Sequence, residues 1–236
     1  MIFMNDNFFD ISNEEEIAET KRFFARVYGW MSLALIITGL VAFRTASSPE
    51  ILGFVFGQRF VFYGLLILEL VLVGVLVGAI QKMTPMAATI VFVLYSMLNG
   101  LTLSCIFFAF TTGSIASVFF ITAGTFAVMS LYGFVTKSDL TKLGNILVMA
   151  LVGLVIATLV NLFIRSEMMY LISSYVGVLI FVGLIAYDTQ KLKKLNIIGN
   201  EGTDEDKKEA IIGALTLYLD FINLFLFLLR IFGRRR

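Results

Sequence analysis

Three carboxylates stand where acids are costly. Asp220 lies near the middle of a 22-residue apolar stretch, 211–232, and Glu69 near the middle of another, 60–80. Asp188 closes a third, 168–187, just before a run of lysines. A charged group at the centre of a membrane helix costs about 2.5–3.5 kcal/mol on insertion scales unless it is paired, protonated or wetted. Asp220 has polar company at helical spacing: Thr216 four residues before it, Asn223 three after, and Arg230 seven beyond Asn223. That spacing sets all four on one side of a helix, with Leu, Phe and Ile on the others. Two carboxyls that meet in low dielectric cannot both ionise cheaply, so they share a proton. Such a pair is a proton-sensitive latch. Once deprotonated, any two of Glu69, Asp188 and Asp220 that meet are also an oxygen-rich attraction for Ca²⁺.

The elements that must position these acids are membrane helices. Of the 236 residues 59% are hydrophobic and 15% charged, with mean hydropathy +0.93. Soluble domains are nearer half apolar and a quarter charged. Seven apolar runs are long enough to span a bilayer as helices: 24–43, 60–80, 86–110, 114–135, 143–164, 168–187 and 211–232. The expected fold is therefore all-α, a polytopic bundle of seven transmembrane helices forming a single domain over 23–236. The polar segment 1–22 precedes it, where Ser12 and Asn13 could cap a short helix opened by Glu14, Glu15 and Glu16. Residues 51–56 are too short to span and belong at the interface. Residues 195–210, mixed in charge, read as a loop. Ser96, Gly100 and Ser104, four apart, form a small-residue stripe suited to close helix packing. A polar stripe on 211–232 needs neighbours all round, so that helix belongs inside the bundle.

Composition also excludes chemistry. With no histidine there is no Ser–His or Cys–His catalysis and no histidine pH sensor. A single cysteine, Cys105, forbids an internal disulfide. The first residues are acidic and polar, unlike a cleavable signal. Lysine and arginine set the topology. With a cytoplasmic N-terminus the inner side holds Lys21, Arg22, Arg26, Lys82, Lys137, Lys142, Lys191, Lys193, Lys194, Lys207 and Lys208. The outer loops then hold Arg44, Arg59 and Arg165. The exception is Arg230 with Arg234, Arg235 and Arg236, which seven crossings put outside and a returning last helix would put inside; the length of 211–232 favours crossing.

The last span, Ala214-Leu215-Thr216-Leu217-Tyr218-Leu219-Asp220-Phe221-Ile222-Asn223-Leu224-Phe225, followed by Leu228-Leu229-Arg230-Ile231-Phe232-Gly233, resembles the signature of the Bax inhibitor-1 family. Ala186-Tyr187-Asp188-Thr189-Gln190 and Thr136-Lys137-Ser138-Asp139-Leu140-Thr141 are similar to further family segments, and the likeness runs from the first span onward. The short tail and simple loops fit a bacterial member, and with it a place in the inner membrane. The resemblance implies seven helices with the last surrounded by the other six. It implies a calcium-permeable, pH-responsive leak gated by Asp188 and Asp220, with Glu69 on the ion pathway. It also implies a basic latch for the sixth-span aspartate at the inner end of the second span. There the chain offers Gln81 and Lys82, and lysine is a point charge without the planar fork of arginine.

The expected partners are the bilayer, protons and calcium as permeant ion, with no cofactor and no nucleic acid. The alternative is a membrane-embedded regulator of another membrane protein, such as an AAA protease, acting through residues 1–20 and the inner loops. An enzyme is not expected, because the two aspartates lack the Gly-rich surroundings of an intramembrane aspartyl protease. A proton-coupled transporter is compatible with the charge placement.

Overall fold

The computed structural model describes residues 3–236, with side chains from Glu14 onward. Its helices are α1 (Phe3–Ala46), α2 (Pro49–Gly57), α3 (Arg59–Ala79), α4 (Pro85–Leu103), α5 (Ile106–Ala109), α6 (Thr112–Val135), α7 (Thr141–Ile164), α8 (Glu167–Leu195) and α9 (Asp204–Phe232). Seven segments are long and apolar enough to cross a membrane: α1, α3, α4 continued by α5, α6, α7, α8 and α9. The chain is an all-α polytopic membrane protein. Helix starts follow local chemistry. Pro85 sits in the first turn of α4, where its missing N–H costs nothing. The hydroxyls of Thr84, Ser166 and Thr203 accept from the backbone N–H three residues on.

Three boundaries differ from expectation. Helix α1 runs unbroken through Ser12 and Asn13, so no separate helix is capped there. Helix α8 continues two turns past Tyr187, which puts Asp188 inside it rather than at its end. Helix α9 starts at Asp204, so half of the expected loop 195–210 is helical. Thr203 caps that start, and Asp204, Glu205 and Asp206 oppose the positive end of the helix dipole. In each case the polarity of the chain changes where it meets water, while the backbone stays helical.

Helix α9 is the inner helix. Two-thirds of its apolar window (67%) is buried, against 6% for α3 and for α7. It packs on α8, α1, α6 and α4. Helices α3 and α7 form an outer layer on α4 and α8, and the surfaces they turn outward face lipid. The last helix is thus central, with four helices directly around it rather than six.

Close approaches set this arrangement. A Cβ on Gly133 of α6 would lie 2.2 Å from the carbonyl oxygen of Ala186 on α8. In the small-residue stripe of α4, a Cβ on Gly100 would lie 2.7 Å from the carbonyl oxygen of Thr38 on α1. Only glycine admits these contacts. Gly133→Leu is expected to push α6 off α8 and to cost about 3 kcal/mol, the upper range for overpacking. Thermal unfolding in detergent reads this as a lowered midpoint. Gly124→Leu, whose Cβ points into open space, should leave the midpoint unchanged.

Both ends of the bundle are tied. At the end of α9 that carries Asp204, Arg22 of α1 binds Glu201 at 2.8 Å. Arg26 binds both oxygens of buried Asp206 at 2.8 and 2.9 Å and reaches Glu201 at 3.2 Å. The Glu19 carboxylate accepts from the Gly199 N–H at 2.9 Å. The turn between α8 and α9 needs positive φ at Gly199 (+89°) and Gly202 (+83°), which glycine supplies without strain. At the other end, the Thr111 N–H donates to the Arg234 carbonyl and the Arg236 N–H to the Ala109 carbonyl. The Arg234 N–H also donates to Ser114 Oγ at 2.8 Å. The C-terminal arginines therefore lie at the α5–α6 end, opposite the N-terminal clasp, as seven crossings require.

Candidate functional site

Asp220 is carried into the centre of the bundle by α9 and is 5% exposed. Asp188, half-buried on α8, faces it within hydrogen-bonding reach. One Asp220 oxygen, Oδ2, has no hydrogen-bond partner. The two aspartates singled out in the sequence are thus brought together, because α8 and α9 run side by side.

The residues after Asp188 explain why it stays there. Thr189 turns to α6, where its hydroxyl lies 3.0 Å from Ser130 Oγ. Since Thr189 donates to the Ile185 carbonyl at 2.7 Å, Ser130 donates to Thr189, and Ser130 in turn accepts from the Tyr28 hydroxyl of α1. Gln190 clamps the segment 136–141. Its Nε2 donates to the Ser138 carbonyl and its Oε1 accepts from the Leu140 N–H. Lys193 donates to the Phe134 carbonyl at 2.9 Å, and Lys194 pairs with Asp139 at 2.8 Å. The Lys194 hydrogen bond, with those of Thr141, holds the Asp139 carboxyl well below the usual carboxylate range. Asp188, Thr189 and Gln190 therefore address α9, α6 and the 136–141 segment in turn.

Other expected site residues fall elsewhere. Glu69, half-buried on α3, accepts from the Thr102 hydroxyl of α4 at 2.8 Å. Behind it the Tyr218 hydroxyl of α9 donates to Asn99 Oδ1 at 3.2 Å and lies 2.7 Å from Thr38 Oγ1. Glu69 does not join the aspartate pair; α4 stands between it and α9, and side chains of α4 bridge the gap. Thr216 and Asn223 bond back to the carbonyls of Ile212 and Leu219 on their own helix. Arg230 lies over the rings of Tyr170 and Phe227, 5.5 and 5.1 Å from their centres. Lys82 is exposed and forms no ion pair with Asp188. The cation close to Asp188 is Lys191, one turn along the same helix. A lysine on α8 itself needs no help from α3.

Among the described residues no three Cys, Asp or Glu side chains converge. The aspartate pair offers at most four carboxylate oxygens, and Ca²⁺ takes six to eight. That donor set suits a passing cation with much of its water retained, not a resident one.

The hydroxyl set Tyr28–Ser130–Thr189, the Tyr218–Asn99–Thr38 cluster and the Arg26–Asp206 pair were not singled out by sequence. Ser130 reads as an ordinary small polar residue of a spanning helix, and Thr189, beyond the expected end of the sixth span, carries no sign of its partner on α6. Asp206 looked like one of several loop charges, although Thr203 followed by three acids was a readable helix start.

The family model described as "Inhibitor of apoptosis-promoting Bax1" matches residues 20–236. The inner membrane protein YbhL of Escherichia coli is 51% identical over 220 residues, 93% of this chain and 94% of its own. A protein of Borreliella burgdorferi is 43% identical over 96% of this chain and 98% of its own. A membrane protein of Streptococcus pyogenes is 40% identical over 90% of this chain and 93% of its own.

Proposed function

The chain belongs to the Bax inhibitor-1 family, and from that premise we propose that it is a pH-responsive, calcium-permeable leak of a bacterial inner membrane. The observation that carries the proposal is the buried Asp220, with one free oxygen, against Asp188 at the centre of the bundle. With one proton between them the two carboxyls join α8 to α9. Without it, two like charges stand in low dielectric and repel. The contact between the central helix and α8 then loosens, and the freed oxygens meet a cation. Flux therefore rises with pH. The excess of lysine at the clasp end supports a cytoplasmic N-terminus.

The test is dye-reported Ca²⁺ entry into liposomes holding the purified protein at pH 6, 7 and 8. Entry above protein-free liposomes, larger at pH 8 than at pH 6, is the expected result. No entry above that background at any of the three would remove the proposal.

One feature favours a second reading, a regulator of another membrane protein. Helix α1 has 44 residues, about 66 Å at 1.5 Å per residue, against a hydrocarbon core of about 30 Å. Its leading turns therefore project into water, where a partner can reach them. Deleting residues 1–20 separates the readings: a leak keeps its flux, and a regulator loses its partner in pull-downs from membranes.

A further inference from the structure

Two adjoining hollows of about 510 and 560 Å³ run along the outer seam between α1 and α6 and share Tyr28 and Phe126. The seam starts at Lys21 and reaches Leu40. At 1.5 Å per residue that is about 28 Å, close to the depth of the hydrocarbon core. Aromatic side chains hold the two helices apart: Phe24 meets Phe134 edge-on at 5.0 Å, and Tyr28 meets Phe126 at 6.5 Å. The floor includes Phe221 of α9, the neighbour of Asp220, and Ser130 of the hydroxyl set. Gly39 lines the seam, and a Cβ there would touch nothing within 4 Å.

The charges at the mouth are one-sided. Lys21 lines it, is exposed, and has no ion pair among the described residues. Its neighbours Arg22 and Arg26 are committed to Glu201 and Asp206. Lys193 holds its Nζ 4.8 Å from the centre of the Phe134 ring, which lines the same hollow. The nearby acids are occupied: Glu19 by the Gly199 N–H, Asp139 by Lys194. No acidic residue lines either hollow. A long apolar trough that opens on the bilayer and ends in two lysines matches a lipid with a negative headgroup, since lysines at a membrane surface draw anionic lipids.

We propose that the α1–α6 seam is a binding site for an anionic phospholipid. One acyl chain lies along Tyr28 and Phe126 toward Gly39, and the phosphate rests at Lys21 and Lys193. The bound chain packs on Phe221 and so touches the central helix beside Asp220. Binding itself does not depend on conduction.

The test uses the full-length protein in liposomes containing phosphatidylglycerol or phosphatidylcholine with a photoactivatable diazirine on the acyl chain. Crosslinked peptides are mapped by mass spectrometry. Labelling is expected to concentrate on residues 28–40 and 119–131, with phosphatidylglycerol ahead by about fivefold for each lysine engaged. Lys21→Gln, at an exposed position, should lower the phosphatidylglycerol signal about fivefold and leave the phosphatidylcholine signal unchanged. Gly39→Phe fills open space and should remove labelling beyond Tyr28 for both lipids. Equal labelling of the seam by the two headgroups overturns the proposal. So does seam labelling no stronger than that of lipid-facing α3, or labelling that Gly39→Phe leaves in place.

Discussion

Asp220→Asn is expected to flatten the pH dependence of Ca²⁺ flux between pH 6 and 8 to less than about twofold. Asparagine keeps a hydrogen-bonding group against Asp188 but removes one of the two charges, and with it the repulsion that opens the contact. Two unit charges about 4 Å apart at an effective dielectric of about 20 interact by about 4 kcal/mol. That is enough to change a gating equilibrium by far more than tenfold, so its loss must be visible. Asp188→Asn should act the same way, since either carboxyl supplies half of the pair. Liposome flux across the three pH values checks both variants. A profile that moves in neither sinks the mechanism even if flux persists.

Arg26→Ala is expected to destabilise the protein by about 3 kcal/mol, the range for breaking a buried pair by removing one member. Asp206 is 1% exposed, and this guanidinium is the cation that reaches both of its carboxylate oxygens. The Gly202 N–H remains as a donor at 2.8 Å but brings no charge. Arg26→Lys should recover only part of the loss, because one ammonium nitrogen cannot replace a guanidinium whose Nη2 holds Asp206 while its Nη1 reaches Glu201. Chemical unfolding in detergent checks the order: wild type above Arg26→Lys above Arg26→Ala. The clasp also has a defined pH range. Hydrogen bonds and charge from Arg22 and Arg26 hold the Glu201 carboxyl down at about 2. A depressed carboxyl contributes stability above its unfolded value and loses it as pH falls through the folded one. Glu201 therefore stays charged from pH 6 to 8, and pH response in that window cannot come from its pairing with the arginines.

Much of this was readable in the chain because lipid imposes one rule. Backbone groups must be satisfied within the segment, so a long apolar run is a helix. The polar stripe around Asp220 marked the inner helix for the same reason: a face that lipid rejects must be covered. The pairing of Asp188 with Asp220 needed one more fact, that α8 and α9 run side by side. What could not be read depends on contacts across helices. Lys82 was a candidate latch only through the family resemblance, but α3 lies in the outer layer and the cation near Asp188 is its own helical neighbour Lys191. Thr216 and Asn223 shared a side with Asp220 without serving it, since a hydroxyl or amide in a dry helix can bond to its own preceding turn. Asp206 could not be told from its charged neighbours until Arg26 faced it.

The tethers at both ends of α9 restrict how it can move. Its first turn is fastened to α1 through Asp206, and the residues just past its last turn are stitched to the α5–α6 junction by backbone hydrogen bonds. A rod pinned at both ends has no piston stroke. With those fastenings intact, displacement is largest in the middle and vanishes at the ends, as a bow or a twist. Asp220 sits near that midpoint, so the greatest compliance of the helix coincides with the acid buried at the centre of the bundle. Probes at the two ends should therefore hold their separation while a probe beside Asp220 moves.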